Sequence, residues 1–347
     1  MSPELVCRPL TEADTPAVLD LLTASLAGGP TGTRSADFFD WKHRRNPFGA
    51  SPGLLAEAPD GRIAGVRLFL RWEWRDAANG RTVRAVRPVD TATHPDFQGQ
   101  GIFRRLTVQL LEEVAPEAEL VFNTPNGNSL PGYLKMGWRE LGRVPVALRI
   151  ARPAAFALGA RAALARRPAR RTGPVPCRLP TAAEWFAENP GVLDELLRER
   201  AEADTADRRL AVARTTAFLS WRYGEAPGLD YRVLTTRRGG ELTGVAFGRP
   251  RRRGPLTEFT LAELIVRPGD RAGAARLLRR AAADSGCDHV ATHLSPGTEA
   301  AAAALRSGYL TAPRTGMTLA ARTPTGPLPT DLTLPSWRFS LGDLEVF

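Results

Sequence analysis

Apolar residues along this chain switch between strand-like runs and helical spacing, and the switches come in a regular order. Glu4–Pro9 predicts a first strand. Thr11-Glu12-Ala13-Asp14 reads as an N-cap with acids in the first turn. Val18, Leu19, Leu21, Leu22 and Leu26 then recur at helical spacing until Gly28, Gly29 and Pro30 stop them. Phe38–Gly49 is an aromatic, basic helix or loop. Gly53–Glu57 and Ile63–Trp74 predict two strands about the turn Pro59-Asp60-Gly61, and Asn79-Gly80 is a hairpin turn into a third strand, Val83–Thr93. A helix over Ile102–Val114, a short strand at Leu120–Asn123, a helix-like Ser129–Met136 and a strand over Leu141–Ile150 complete a first half.

Residues 151–180 are rich in Ala and Arg and end in a cluster, Pro168, Pro174, Pro176 and Pro180. They read as a basic amphipathic helix and a linker joining two domains. Beyond it the pattern returns. Phe38 is matched by Phe218, Trp41 by Trp221, Lys42 by Arg222 and Pro47 by Pro227, each 180 positions on. Strands at Tyr231–Thr236, Leu242–Gly248 and Phe259–Val266, a helix at Ala272–Ala283, a strand at Asp288–His293 and the pair Gly308-Tyr309 follow in the order of the first half. The expectation is a tandem duplication, with domains at 1–150 and 181–325 and a tail at 326–347 in which Leu334–Phe347 predicts an edge strand.

The third strand leads through Ala92–Phe103 (ATHPDFQGQGIF) into the helix. A strand, a glycine turn and a helix N-terminus can cradle a pyrophosphate, because successive N–H groups face the anion and glycine lets the backbone approach it. Neither G-x-x-x-x-G-K-[ST] nor G-x-G-x-x-G with a following acid is present. The segment resembles the Q/R-x-x-G-x-G/A turn of the GNAT superfamily of N-acyltransferases, in Gln98 and Gly101 and in the spacing from Pro95; Phe103 stands where the family usually has Gly or Ala. Asn126, Ser129, Tyr133, Lys135, Gly137 and Trp138 match the spacing of a later motif of that family. The resemblance covers residues 1–150 well and the second half in architecture only.

It implies an α/β (α+β) chain of two tandem GNAT-like domains, each a mixed, mainly antiparallel central sheet flanked by helices. It further implies acyl-CoA as cosubstrate, most simply acetyl-CoA, held by Ala92, Thr93, Gln98, Gly99, Gln100, Gly101, Ile102, Phe103, Asn126 and Ser129. An amine attacking a thioester needs near-attack geometry and a backbone donor for the oxyanion, which the resemblance places at Ala92 or Thr93. The leaving thiolate needs a proton, and Tyr133 is the candidate acid. Asp90 is the candidate base or ammonium anchor; its alternative is a structural partner of an arginine such as Arg84 or Arg87, and His94 is a rival base. In the second half Ala272–Ala275 replaces the glycine turn, Ala304 stands for Tyr133, and Glu263 holds the place of Asp90. That half is expected to bind no CoA productively.

Composition narrows the partners. The net charge is +10, yet only Lys42 and Lys135 are lysines and the arginines are scattered. The charge suits CoA phosphates or an acyl carrier protein; no aromatic-plus-basic motif accompanies it, so nucleic acid is not expected. No apolar run approaches the roughly eighteen residues of a membrane span. No leader pattern opens the chain, and Cys7, Cys177 and Cys287 lack metal-ligand spacing, which suits a reducing cytoplasm and no metal. The acceptor is expected to be a small-molecule or peptide amine. Two rivals stay open, an N-acyltransferase with a carrier-protein donor and a GNAT-fold binding or regulatory protein without turnover.

Overall fold

The structure is a computed structural model that describes residues 5–25, 35–76, 79–165, 173–312 and 315–344. Glu4, Leu26, Gly28, Gly29, Pro30 and Pro168, singled out above, lie outside the described residues. Two compact units are present. One takes the chain up to Arg143 together with Met317–Ser336; the other takes Val144–Gly316 and the segment from Trp337.

In the first unit, strand β1 (Val6–Pro9) leads into helices α1 (Thr15–Ser25) and α2 (Ala36–His43). Strands β2 (Gly53–Glu57), β3 (Ile63–Asp76) and β4 (Arg81–Thr93) form an antiparallel meander. Helix α3 (Ile102–Val114), strand β5 (Leu120–Asn123), helix α4 (Leu130–Lys135) and strand β6 (Arg139–Val144) follow. A further strand arrives from far along the chain: Met317–Arg322, labelled β14 for its place in the sequence. It pairs antiparallel with β5 and separates it from β6, so the strand order is β1-β2-β3-β4-β5-β14-β6.

Helix α3 buries Ile102, Leu106, Leu110, Leu111 and Val114 on the sheet face made by Leu54, Ala56, Ala64, Phe69, Val86 and Val121. Each such side chain contributes about 1.5–3 kcal/mol by leaving water. The contact is close at the N-terminus of α3: a Cβ added to Gly65 would stand 2.6 Å from Ile102 Cγ2. The start of the helix is thereby pinned to β3.

The second unit begins with β7 (Ala147–Ile150), helices α5 (Pro153–Leu164), α6 (Ala182–Glu188) and α7 (Asp194–Ala203) and the short β8 (Leu210–Ala211). Helix α8 (Thr216–Leu219) runs into a π-helical turn, Ser220–Gly224. Strands β9 (Arg232–Arg238), β10 (Glu241–Arg253) and β11 (Leu256–Val266), helix α9 (Arg271–Asp284), strand β12 (His289–Thr292), helix α10 (Glu299–Ala304) and strand β13 (Leu310–Thr311) repeat the element order of the first unit. The sheet order is β13-β7-β12-β11-β10-β9. Helix α5 lies against this sheet, with Gly159 so close to Leu256 that a Cβ would come within 2.4 Å of Leu256 Cδ2.

Two sequence expectations are corrected here. Leu141–Ile150 is not one strand closing the first half. The chain breaks at Pro145; Arg139–Val144 stays in the first sheet, while Ala147–Ile150 pairs with β12 in the second. Nor does Leu334–Phe347 form an edge strand within the described residues: Leu334–Ser336 is a 3-10 turn and Leu341–Leu344 a short helix, α11. The strand that joins the first sheet lies earlier, at β14.

No helix is long and apolar enough to cross a membrane among the described residues. All three cysteines are free, and burial pushes each thiol up, Cys287 to about 12. Native protein at pH 8 is therefore expected to leave Cys287 unalkylated by iodoacetamide, as read by mass spectrometry, until denaturant is added.

Candidate active site

The site grows out of a single irregularity. The pairing of β3 with β4 runs Leu68↔Val89 and then Val66↔Ala92, so Arg67 faces two residues, Asp90 and Thr91. This is a β-bulge. Asp90 has φ +42°, the positive-φ non-glycine residue among those described. The bulge turns neighbouring side chains to opposite faces of the sheet. Asp90 meets α2, where its Oδ2 accepts from Lys42 Nζ at 2.6 Å and lies 2.8 Å from His43 Nε2. His43 Nδ1 is in turn 3.0 Å from Ser51 Oγ. The partners foreseen for Asp90, Arg84 or Arg87, are thus replaced by Lys42 and His43. The Asp90 and Lys42 side chains are 1% and 2% exposed, an ion pair removed from water.

Beyond the bulge the sheet opens. Strands β4 and β5 are paired in parallel only at Ala85↔Leu120 and Val86↔Val121. From Arg87 onward β4 diverges from β5, and Arg87 Nη2 reaches Thr124 Oγ at 2.8 Å on the other side of the opening. His94 gives its N–H to Ala64 O of β3. Backbone groups alternate along a strand, so the N–H of Thr93 points the other way, into the opening, and that of Ala92 toward β3. His94 itself caps the turn Pro95–Phe97, its Nδ1 accepting from Asp96 N at 3.2 Å.

The glycine turn follows. Gly99 and Gly101 have φ +77° and +73°, and a Cβ at either would meet nothing within 4 Å, so an open surface lies over the turn. Gly101 is the N-cap of α3 and carries no side-chain cap. The first helical bond runs from Arg105 N to Gly101 O, which leaves the preceding amides, through Gly101, Ile102 and Phe103, as donors. Gln98 and Gln100 are exposed beside them, as are Arg104 and Arg105. The Ile102 side chain is core; only its backbone can face a ligand.

Phe103 has its own accommodation. Gly132 of α4 sits beneath it, 3.3 Å from Phe103 Cε1 to an added Cβ, and the ring meets Tyr133 edge-on at 5.5 Å. Tyr133 is buried between Phe103 and Trp138, whose ring lies 5.0 Å away. Its hydroxyl accepts from Arg67 Nη2 at 2.7 Å. Asn126 and Ser129 form the loop that launches α4: Asn126 Oδ1 accepts from the backbone N–H of Asn128 and Ser129, each at 3.0 Å. Their motif spacing thus corresponds to an Asx turn. Arg67, buried at the meeting point, escaped the sequence reading; its place in a strand of large apolar residues is the one signal that marks it.

The second unit repeats the bulge, with Ala262 unpaired between Phe247↔Glu263 and Gly248↔Leu261. Its chemistry differs. Glu263 is paired with Arg214, which also holds Asp343, and burial raises the Glu263 carboxyl. At the start of α9, Asp270 Oδ1 accepts from Gly273 N at 2.8 Å, and Glu299 Oε1 accepts from Gly269 N at 2.9 Å. Carboxylates take the donors that stay open around Gly101.

A family model described as an acetyltransferase (GNAT) domain matches residues 6–141. No curated protein matches the sequence. Among solved structures, a GCN5-related N-acetyltransferase from Anabaena variabilis is similar at 11% identity and TM-score 0.61, over 92% of this chain and 73% of that one. One from Kribbella flavida is similar at 16% identity and TM-score 0.57, over 92% and 72%. Eis1 from Mycobacterium abscessus is similar at 15% identity and TM-score 0.53, over 91% and 73%. Residues 6–141 are thus similar to a GNAT acetyltransferase domain, and the chain carries the GNAT fold.

Proposed function

We propose that this protein is an N-acyltransferase that moves an acyl group, most simply acetyl, from acyl-CoA to an amine by direct attack on the thioester. The observation that carries the reading is the convergence, in one unit, of an opened strand pair, an uncapped glycine turn at a helix N-terminus and a buried phenol. The amides from Gly99 to Phe103 would hold the pyrophosphate, with Gln98 and Gln100 at its edge. The Thr93 N–H would receive the oxyanion, and Tyr133 would protonate the departing thiolate. Asn126 and Ser129 would act by shaping the α4 loop. We assign Asp90 to the scaffold, because its carboxylate is committed to Lys42 and His43. The second unit would be a duplicated GNAT-like domain that no longer binds CoA: Asp270 and Glu299 put negative charge where phosphates would have to sit.

Calorimetry with acetyl-CoA tests the assignment. One site per chain is expected, weakened at least tenfold in Gly101→Glu. A side chain at φ +73° costs about 1–2 kcal/mol, and a carboxylate at the helix N-terminus competes with the phosphates for the same donors. The open space around Gly101 leaves the fold intact. Two sites, or unchanged affinity, would sink the single-site reading. Absence of binding, with turnover only on a carrier-bound acyl group, would favour a carrier-protein donor. Absence of thiol release with any amine would favour a binding or regulatory protein.

A further inference from the structure

Arg67 is 1% exposed, and its hydrogen bonds go to neutral oxygens, Thr91 Oγ and Tyr133 Oη. Three aromatic rings surround the guanidinium: Phe69 at 5.4 Å, Phe103 at 5.1 Å and Tyr133 at 5.4 Å. Its Nε is buried and has no hydrogen-bond partner. Among the described residues no carboxylate is paired with it. This sets it apart from Lys42, which is buried in the same unit against Asp90. A buried charge without a counter-charge is costly to fold, so its retention calls for an account.

We propose that Arg67 is a positioning residue for acyl transfer, which fixes the Tyr133 phenol and balances the negative charge left on it when it gives up its proton. This rests on the reading of Tyr133 as general acid. The amine nitrogen bonds to the thioester carbon, the carbon–sulfur bond breaks with its electron pair on sulfur, and sulfur takes the Tyr133 proton. The phenolate that remains lies 2.7 Å from Arg67 Nη2 and regains a proton from solvent, into which the amine has released its own. Two features of the geometry serve this step. Because Arg67 can only donate, it occupies a lone pair of the phenol and directs the O–H away from itself. And because the guanidinium is already buried and held by Thr91 and three rings, its charge acts at low dielectric without reorganising. Arg67 lies opposite the bulge that places Thr93, so one irregularity of the sheet sets both the oxyanion donor and the acid.

A double-mutant cycle separates this role from packing. Thiol release from acetyl-CoA, with n-butylamine as probe acceptor, is measured for the wild type, Arg67→Met, Tyr133→Phe and the double variant. Arg67→Met should lower kcat tenfold or more with the calorimetric affinity for acetyl-CoA retained, and the double variant should be no slower than Tyr133→Phe alone. Arg67→Lys, which keeps the charge and loses the fork, should recover part of the rate and move the alkaline limb of the pH–kcat profile; it also serves if Arg67→Met does not fold. Multiplicative losses in the double variant would overturn the positioning role and leave Tyr133 standing as the acid. A Tyr133→Phe enzyme as fast as the wild type would overturn the acid assignment first. A wild type that releases no thiol would overturn both.

Discussion

Replacing Asp90 by alanine is expected to lower unfolding stability by about 3–5 kcal/mol, because it breaks a buried ion pair by removing the carboxylate 2.6 Å from the Lys42 ammonium. Two further terms act. The Asp90–His43 contact at 2.8 Å is lost, and alanine tolerates φ +42° less well than aspartate does. Urea unfolding followed by tryptophan fluorescence measures the loss, with Trp41 and Trp72 buried in the same unit as reporters. Removing Lys42 as well should restore most of it: Asp90→Ala with Lys42→Met takes away both members of the ion pair and fills the space with apolar atoms. A cost below about 1 kcal/mol, together with a collapse of activity at low pH, would return Asp90 to the role of base that its strand position first suggested.

Tyr133→Phe is expected to lower kcat about a hundred- to a thousandfold while leaving acetyl-CoA affinity nearly unchanged. The ring keeps its edge contacts with Phe103 and Trp138, so the packing of α4 survives. What goes is the proton and one acceptor for Arg67. Leaving that donor unsatisfied costs about 1–3 kcal/mol of stability, which a melting experiment reads separately from the rate. Equal losses in kcat and in acetyl-CoA affinity would mean that Tyr133 holds the cosubstrate. An unchanged kcat would rule the acid out.

Much of this site was legible because its signals are local. The glycine turn and the start of α3 follow from adjacent residues: Gly99 and Gly101 adopt positive φ, which glycine takes without a steric cost. The hairpin from β3 to β4 was marked by Asn79-Gly80, and its register brings Arg81 opposite Asp76. The segment Ser129–Met136 was legible as helix-like, and Tyr133 lies buried on α4 within it. Aspartate at position 90 was legible as unusual, an acid inside an apolar strand. Its partners were not, since Lys42 lies 48 residues away on a helix that the sequence left as helix or loop.

The sequence by itself determined the order of most elements, the return of that order in the second half, with the Phe38–Pro47 segment matched 180 residues on, and the place of the glycine turn before helix α3. Tertiary structure alone decided which strands share a sheet. β7 and β14 are short, four and six residues, and carry no apolar period of their own to fix a partner; each is placed by the edge it meets, β12 and β5. Tertiary structure also decided that Arg67 would lie against Tyr133, 66 residues on, and that Glu299 would accept from an amide before the second unit's helix α9, 30 residues back in the chain. Propensity acts over a few neighbouring residues, whereas an uncompensated buried charge acquires its meaning only when the chain has folded and its neighbours are fixed.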